Sequence, residues 1–220
     1  MMTPAHSQTP RRRAFLVALK AVGGLSWTLA YRRAIQSTRK TDSRLLPPIA
    51  MAFNFAWEAI YSAGGVAKWR DLEWEDRAQT AINLGWLYND ARWVHEVHVR
   101  DGQPLPVRMV LVGSAYQALF LSLLPAGDAA RVSALWQNLA FSAYCAVAQP
   151  LPARDDPDAL AFTAYRAVGT AIPTATSGVL RGVRPRYLIP GLGCVGFDLI
   201  RLLRQLQHER RQDLDRNPHP

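Results

Sequence analysis

The sequence predicts an all-α protein built as a seven-transmembrane helical bundle, and three observations lead there. Two stretches carry no charged residue over lengths that match a bilayer, Met109–Gly127 and Val132–Ala153. A hydrocarbon core about 30 Å thick takes roughly 20 apolar residues of helix. Five more stretches repeat the pattern with a few ionisable residues inside: Ala14–Tyr31, Leu45–Ala67, Ala78–Val97, Ala159–Leu180 and Tyr187–Leu206. Third, short polar breaks separate all seven. A soluble helix would carry one apolar stripe and one charged face, and the two uncharged runs have no charged face at all.

Composition narrows the classes further. Of 220 residues, 49% are hydrophobic and 20% charged, which excludes a disordered or low-complexity chain. Cys145 and Cys194 are too few for a disulfide scaffold and lack the spacing of zinc ligands. The net charge of +9 favours an anionic surface. Beside uncharged runs of this length, that surface is the phosphate of a lipid bilayer, and no nucleic acid is expected. The mean hydropathy of −0.07 hides this, because the charges are concentrated between the spans.

The chain divides into a short basic tail (1–13), a seven-helix membrane domain (14–206) and a polar C-terminal tail (207–220) that should fray. Arg12-Arg13-Ala14-Phe15-Leu16 has the form of a twin-arginine export signal. Lys20 interrupts the apolar stretch behind it, and no small-residue cleavage site follows, so the first span is expected to be retained. Span two opens after Pro47-Pro48, and Pro173 and Pro190 should kink spans six and seven. The breaks are Arg39-Lys40-Thr41-Asp42, Arg70-Asp71, Arg100-Asp101-Gly102, Arg154-Asp155-Asp156-Pro157 and Arg181-Gly182. Tyr31, Trp69, Trp74 and Tyr187 fall near span ends, where interfacial aromatics belong.

Ionisable residues inside the spans are Glu58, Asp90, Arg92, Arg166, Asp198 and Arg201. Each costs about 2.5–3.5 kcal/mol to insert, so such residues mark function or pair with one another. At about 1.5 Å of rise per residue, Glu58 lies roughly 9–14 Å deep and Asp198 roughly 16 Å, with Asp90 and Arg166 at roughly 18–20 Å. Four spans thus bring ionisable groups to one middle slab, as a single polar pocket would require. The structural alternative is pairing: Asp198 with Arg201 at i,i+3, and Arg166 with Asp90 or Asp198. A second functional reading is a small transporter or channel with a carboxylate relay, although no repeat symmetry between halves is evident.

Other motifs carry less. Gly191-Leu192-Gly193-Cys194-Val195-Gly196 has the dinucleotide spacing but no preceding strand, so it points to close helix packing. His95, Glu96 and His98 could form a metal face, but no further ligand is evident.

At Asn54-Phe55-Ala56-Trp57-Glu58 the sequence resembles the small integral-membrane terpene cyclases of the paxilline type, found in fungal indole-diterpene and meroterpenoid pathways and in bacterial indole-sesquiterpene pathways. Further matches are Leu25-Ser26-Trp27 with Tyr31, Gly85-Trp86-Leu87-Tyr88-Asn89-Asp90, Arg166-Ala167-Val168-Gly169-Thr170 and Phe197-Asp198. The resemblance implies seven spans and cyclisation of a prenyl chain, farnesyl on an indole-type substrate, begun by protonation of an alkene or epoxide. Its two essential acids map onto Glu58 and Asp198. Glu58 is the expected proton donor, with Asp198 orienting it or sharing its proton. Such an acid must hold its proton near neutral pH, which burial among apolar groups favours. Trp57, Trp86 and Tyr88 are expected to shield carbocations, and Asn54, Asp90, Arg166 and Phe197 to lie around the substrate. Soluble cyclases use Asp-Asp-x-x-Asp or Asp-x-Asp-Asp; neither occurs here, so no metal and no cofactor are expected. The expected location is a bacterial plasma membrane, as a multi-pass protein of open oligomeric state.

Overall fold

The computed structural model describes residues 10–40, 45–101, 107–151, 156–178 and 184–216. Among them are seven α-helices, one short 3₁₀ turn at Trp69–Asp71 and no strand. The helices are α1 (Pro10–Lys40), α2 (Pro48–Ala67), α3 (Trp74–Asp101), α4 (Val107–Leu123), α5 (Ala126–Val147), α6 (Pro157–Gly178) and α7 (Pro185–Arg216). They correspond in order to the seven expected stretches. Proline opens α1, α2, α6 and α7, at the position where its missing N–H costs no helical hydrogen bond.

The principal helix contacts close into a ring. Around it run α1, α6, α7, α5, α4, α2 and α3, and α3 returns to α1. A smaller contact between α2 and α5 crosses the ring. The largest apolar cluster draws on Tyr31, Met51, Trp93, Phe141, Cys145 and Phe162 among others. Glu58, Asp90, Gln117, Arg166 and Asp198 are buried with it, while Leu111, Leu123 and Ile189 are 64%, 69% and 63% exposed. Polar groups thus face inward and large apolar groups face out.

Several helix bounds depart from the expected spans. α1 runs on to Lys40, because charges do not break a helix when they find partners: Arg33 and Lys40 both meet Asp158, and Arg39 meets Glu96. α5 stops at Val147, short of Pro150, so the second uncharged run is not helical throughout. α7 continues to Arg216 through the segment expected to fray, and α1 starts at Pro10 inside the expected basic tail. Of the breaks, residues 41–44, 102–106, 152–155 and 179–183 lie outside the described residues. Among the described residues one helix, Ala14–Lys40, is long and apolar enough to cross a membrane by length and composition, with Val107–Leu123 a shorter apolar helix.

The aromatic expectation divides. Trp69 and Trp74 are exposed, at 41% and 56%, whereas Tyr31 and Tyr187 are buried. Each tyrosine has a carboxylate to bond, Tyr31 with Glu58 and Tyr187 with Asp128, which draws it inward. Two glycines of the α7 triplet allow close packing: a Cβ on Gly191 would lie 2.4 Å from Thr174 Oγ1 of α6, and one on Gly193 2.6 Å from Leu139 Cδ1 of α5, whereas Gly196 faces open space. Gly169 of α6 likewise lets Trp27 of α1 lie against its backbone, where a Cβ would stand 2.7 Å from the indole Cδ1.

Two acids pin helix starts. Asp128, in the first turn of α5, accepts from Arg186 at 2.7 Å and from the Tyr187 hydroxyl. Asp158, in the first turn of α6, accepts from Arg33 Nη1 at 2.7 Å and Lys40 Nζ at 3.0 Å. A negative charge there also suits the positive end of the helix. Burial pushes the Asp158 carboxyl up, but Arg33 and Lys40 together outweigh it and hold it below the usual range. The folded value is therefore the lower one. Asp158 stabilises the fold above the unfolded carboxylate range, about pH 4, and that contribution is lost as pH falls through the folded value. Because Arg33 and Lys40 are 38% and 55% exposed, Asp158→Asn should cost about 1 kcal/mol or less at about pH 7. Thermal melts in detergent should show that deficit shrinking as pH falls below about 4.

Candidate functional site

The interior polar residues form two groups rather than one pocket. The first surrounds Glu58, halfway along α2. The Tyr31 hydroxyl of α1 donates to Glu58 Oε1 at 3.5 Å. Asp90 of α3 acts electrostatically on both Glu58 and Tyr31, and it is the carboxylate that faces Glu58. Glu58 is 4% exposed and Asp90 0%. Glu58 Oε2 is buried with no close donor, and the Asp90 carboxyl lies within reach of both the Tyr31 hydroxyl and the Glu58 carboxyl. Trp93, on the same face of α3 as Asp90 by its i+3 spacing, is 1% exposed and closes this region.

A chain of amides leads away from the acid. Asn54 Nδ2, one turn before Glu58 on α2, donates to the Tyr31 oxygen at 3.0 Å. Gln137 Nε2 of α5 donates to Asn54 Oδ1, and Gln117 Nε2 of α4 donates to Gln137 Oε1 at 3.1 Å. Four helices of the ring are tied through this chain.

The second group lies between α5, α6 and α7. Arg166 Nη2 donates to Asp198 Oδ1, and both side chains are almost wholly buried. The Arg166 guanidinium lies 4.5 Å from the centroid of the Phe141 ring. Ser142 and Thr170 are the other polar neighbours of Asp198. Arg201 turns elsewhere and donates to the carbonyls of Cys145, Gln149 and Pro150 at 3.0, 2.8 and 2.9 Å, which closes the C-terminal end of α5. A small cavity beside this group is lined by Cys145, Phe162, Thr163, Arg166, Arg201 and Gln205 among others.

Several expectations change accordingly. Asp198 pairs with Arg166, and Asp90 rather than Asp198 stands beside Glu58. The i,i+3 pairing of Asp198 with Arg201 gives way to the carbonyls of α5. Arg166 neutralises Asp198 rather than Asp90. Tyr88 is 64% exposed on the outer face of α3, with Arg92 6.0 Å from its ring centroid, so it does not line the interior. The Trp57 indole N–H donates to the Ala130 carbonyl at 2.9 Å and its ring packs on Tyr61, which directs it along the contact of α2 with α5. Trp86 is half-buried, with Nε1 donating to Thr28 Oγ1 at 3.2 Å. Phe197 is half-buried beside Asp198 in sequence. Glu96 of the possible metal face is taken by Arg39, and the His98 side chain lies outside the described residues.

Gln117 and Gln137 were not singled out by the sequence reading. A signal existed for the glutamines: each sits inside an uncharged run, where an amide must find a hydrogen-bond partner.

Comparison with known proteins agrees with part of the resemblance. The chain is 27% identical over 96 residues to terpene cyclase nodB of Hypoxylon pulicicidum, a stretch covering 41% of this chain and 40% of that protein. The match therefore spans about two-fifths of the length of that relative. No family model matches the chain. No solved structure matches it either.

Proposed function

We propose that this chain is a multi-pass membrane terpene cyclase that begins catalysis by protonating the prenyl chain of a prenylated substrate, with Glu58 as the proton donor. The observation that carries this reading is the buried Glu58–Asp90 pair under the Tyr31 hydroxyl. Two carboxyl groups together in a low-dielectric interior cannot both hold a charge cheaply, so the pair retains at least one proton. The partial match to a fungal terpene cyclase supports the reaction class. Inward-facing polar groups and outward-facing Leu111, Leu123 and Ile189 support the membrane setting.

The steps follow from the residues. Glu58 transfers its proton to the terminal alkene or epoxide of the substrate, leaving the carboxyl pair with one more negative charge. The cation is attacked by the neighbouring alkene, and successive carbon–carbon bonds close the rings. A proton lost from the final cation returns to the carboxyl pair, so the product is an isomer of the substrate. Trp86 and Trp93 are the aromatic groups suited to stabilising cations, by about 0.5–2 kcal/mol each. Asp198, held by Arg166, fixes α6 against α7 and keeps that wall of the bundle in place.

The substrate class proposed is a farnesylated or geranylgeranylated indole. Membranes carrying the protein, given these compounds with and without a terminal epoxide, should yield a cyclised product of unchanged mass that control membranes lack. Unchanged substrate in every case contradicts this substrate class.

A further inference from the structure

The cavity at the C-terminal end of α5, lined there by Cys145, on α6 by Phe162, Thr163 and Arg166, and on α7 by Arg201 and Gln205, has a polar lining that the protein does not satisfy by itself. It leaves about 10 Å³ for the centre of a water molecule, the room that one water needs. Arg166 Nε and Gln205 Oε1 are buried without a hydrogen-bond partner in the protein. Both residues are almost wholly buried, and so is Thr163. The Thr163 hydroxyl donates to the Ala159 carbonyl at 3.2 Å and keeps lone pairs on Oγ1. One donor and two acceptors thus stand around a space of one water. Buried polar groups left unpaired are costly, and ordered water commonly meets them where there is room.

We propose that this cavity binds a single buried water, which accepts from Arg166 Nε and donates to Gln205 Oε1 and Thr163 Oγ1. About three hydrogen bonds is the usual number for such a water. The orientation of the Gln205 amide does not decide the matter, because water has two hydrogens and two lone pairs and meets either end of it. An anion fits less well, although two arginines line the cavity. Arg201 spends its Nη groups on the carbonyls of Cys145, Gln149 and Pro150, and Arg166 gives Nη2 to Asp198. What remains is one N–H beside acceptor oxygens, and a halide is larger than water. The water joins α6 to α7, and it gives the Arg166 guanidinium a contact beyond Asp198 and the Phe141 ring.

Crystals of the full chain grown from a lipid mesophase test this directly. Density for one water is expected within about 2.7–3.2 Å of Arg166 Nε. Crystals grown in sodium bromide should show no anomalous peak there. Gln205→Met keeps the length of the side chain and removes both polar atoms, so the density should be lost and the melting temperature in detergent should fall. Thr163→Val should lower it too, and the double variant should lose less than the two single losses summed, since both act through one water. Should Gln205→Met fail to fold, the density is compared in Thr163→Val, where it should weaken. No density in the wild type, a direct contact of Arg166 Nε with Gln205 or Thr163, or a bromide peak overturns the proposal. So does a water that persists unchanged in the variants, or melting losses that simply add.

Discussion

Glu58→Gln is expected to abolish cyclisation while leaving the protein folded. The glutamine side chain has the same shape and keeps an oxygen for the Tyr31 hydroxyl, so the contact seen at Glu58 Oε1 survives. What it lacks is an acidic proton. General acid catalysis contributes about 10²–10⁴-fold, and here no other carboxylic acid stands under Tyr31 except Asp90 on the facing helix. Turnover should therefore fall by at least about 10²-fold at unchanged expression and with a melting temperature near that of the wild type. Initial rates of product formation by mass spectrometry, beside a melt of the purified protein in detergent, check both halves. A folded variant with undiminished turnover removes Glu58 from the chemistry.

The largest stability effect is expected at the other polar group. Arg166 and Asp198 are paired with 2% and 0% of their side chains exposed. Arg166→Met leaves the Asp198 carboxylate buried without its counter-charge, and it also removes the cation from the face of Phe141. Breaking a buried pair from one side costs about 3–5 kcal/mol, enough to deplete the folded protein. Replacing both partners with apolar groups is often close to neutral. Arg166→Met with Asp198→Leu should therefore recover most of the monodisperse yield that Arg166→Met alone loses in size-exclusion chromatography. Equal loss in the single and double variants would mean that the pair is not what fixes α6 to α7.

The seven helices were legible in the sequence because long, sparsely charged stretches between short polar breaks are a strong, local signal, and Met109–Gly127 and Val132–Ala153 carry no charge at all. Their ends were less legible. α1 passes through Arg32, Arg33 and Arg39 because the acids that receive α1's charges, Asp158 and Glu96, are far away in the chain. Depth arithmetic brought Glu58, Asp90, Arg166 and Asp198 to one slab, but depth says nothing of angle around the ring. The order α1, α6, α7, α5, α4, α2, α3 is what separates them, putting Glu58 and Asp90 on adjacent helices and Asp198 beside Arg166. Tyr31 looked interfacial from its place at a span end, yet its hydroxyl serves the acid of α2. Only the partner, not the position along the chain, could reveal that.

The measurement that bears most directly on the central claim compares the three buried acids in one assay. Membranes with wild type, Glu58→Gln, Asp90→Asn and Asp198→Asn at matched expression would be given a farnesylated indole, with and without a terminal epoxide, and the products analysed by mass spectrometry and NMR. The account predicts a cyclised isomer from wild type, none from Glu58→Gln, and a reduced rate from Asp90→Asn even where the protein is folded. A cyclised product from folded Glu58→Gln at the wild-type rate would contradict it.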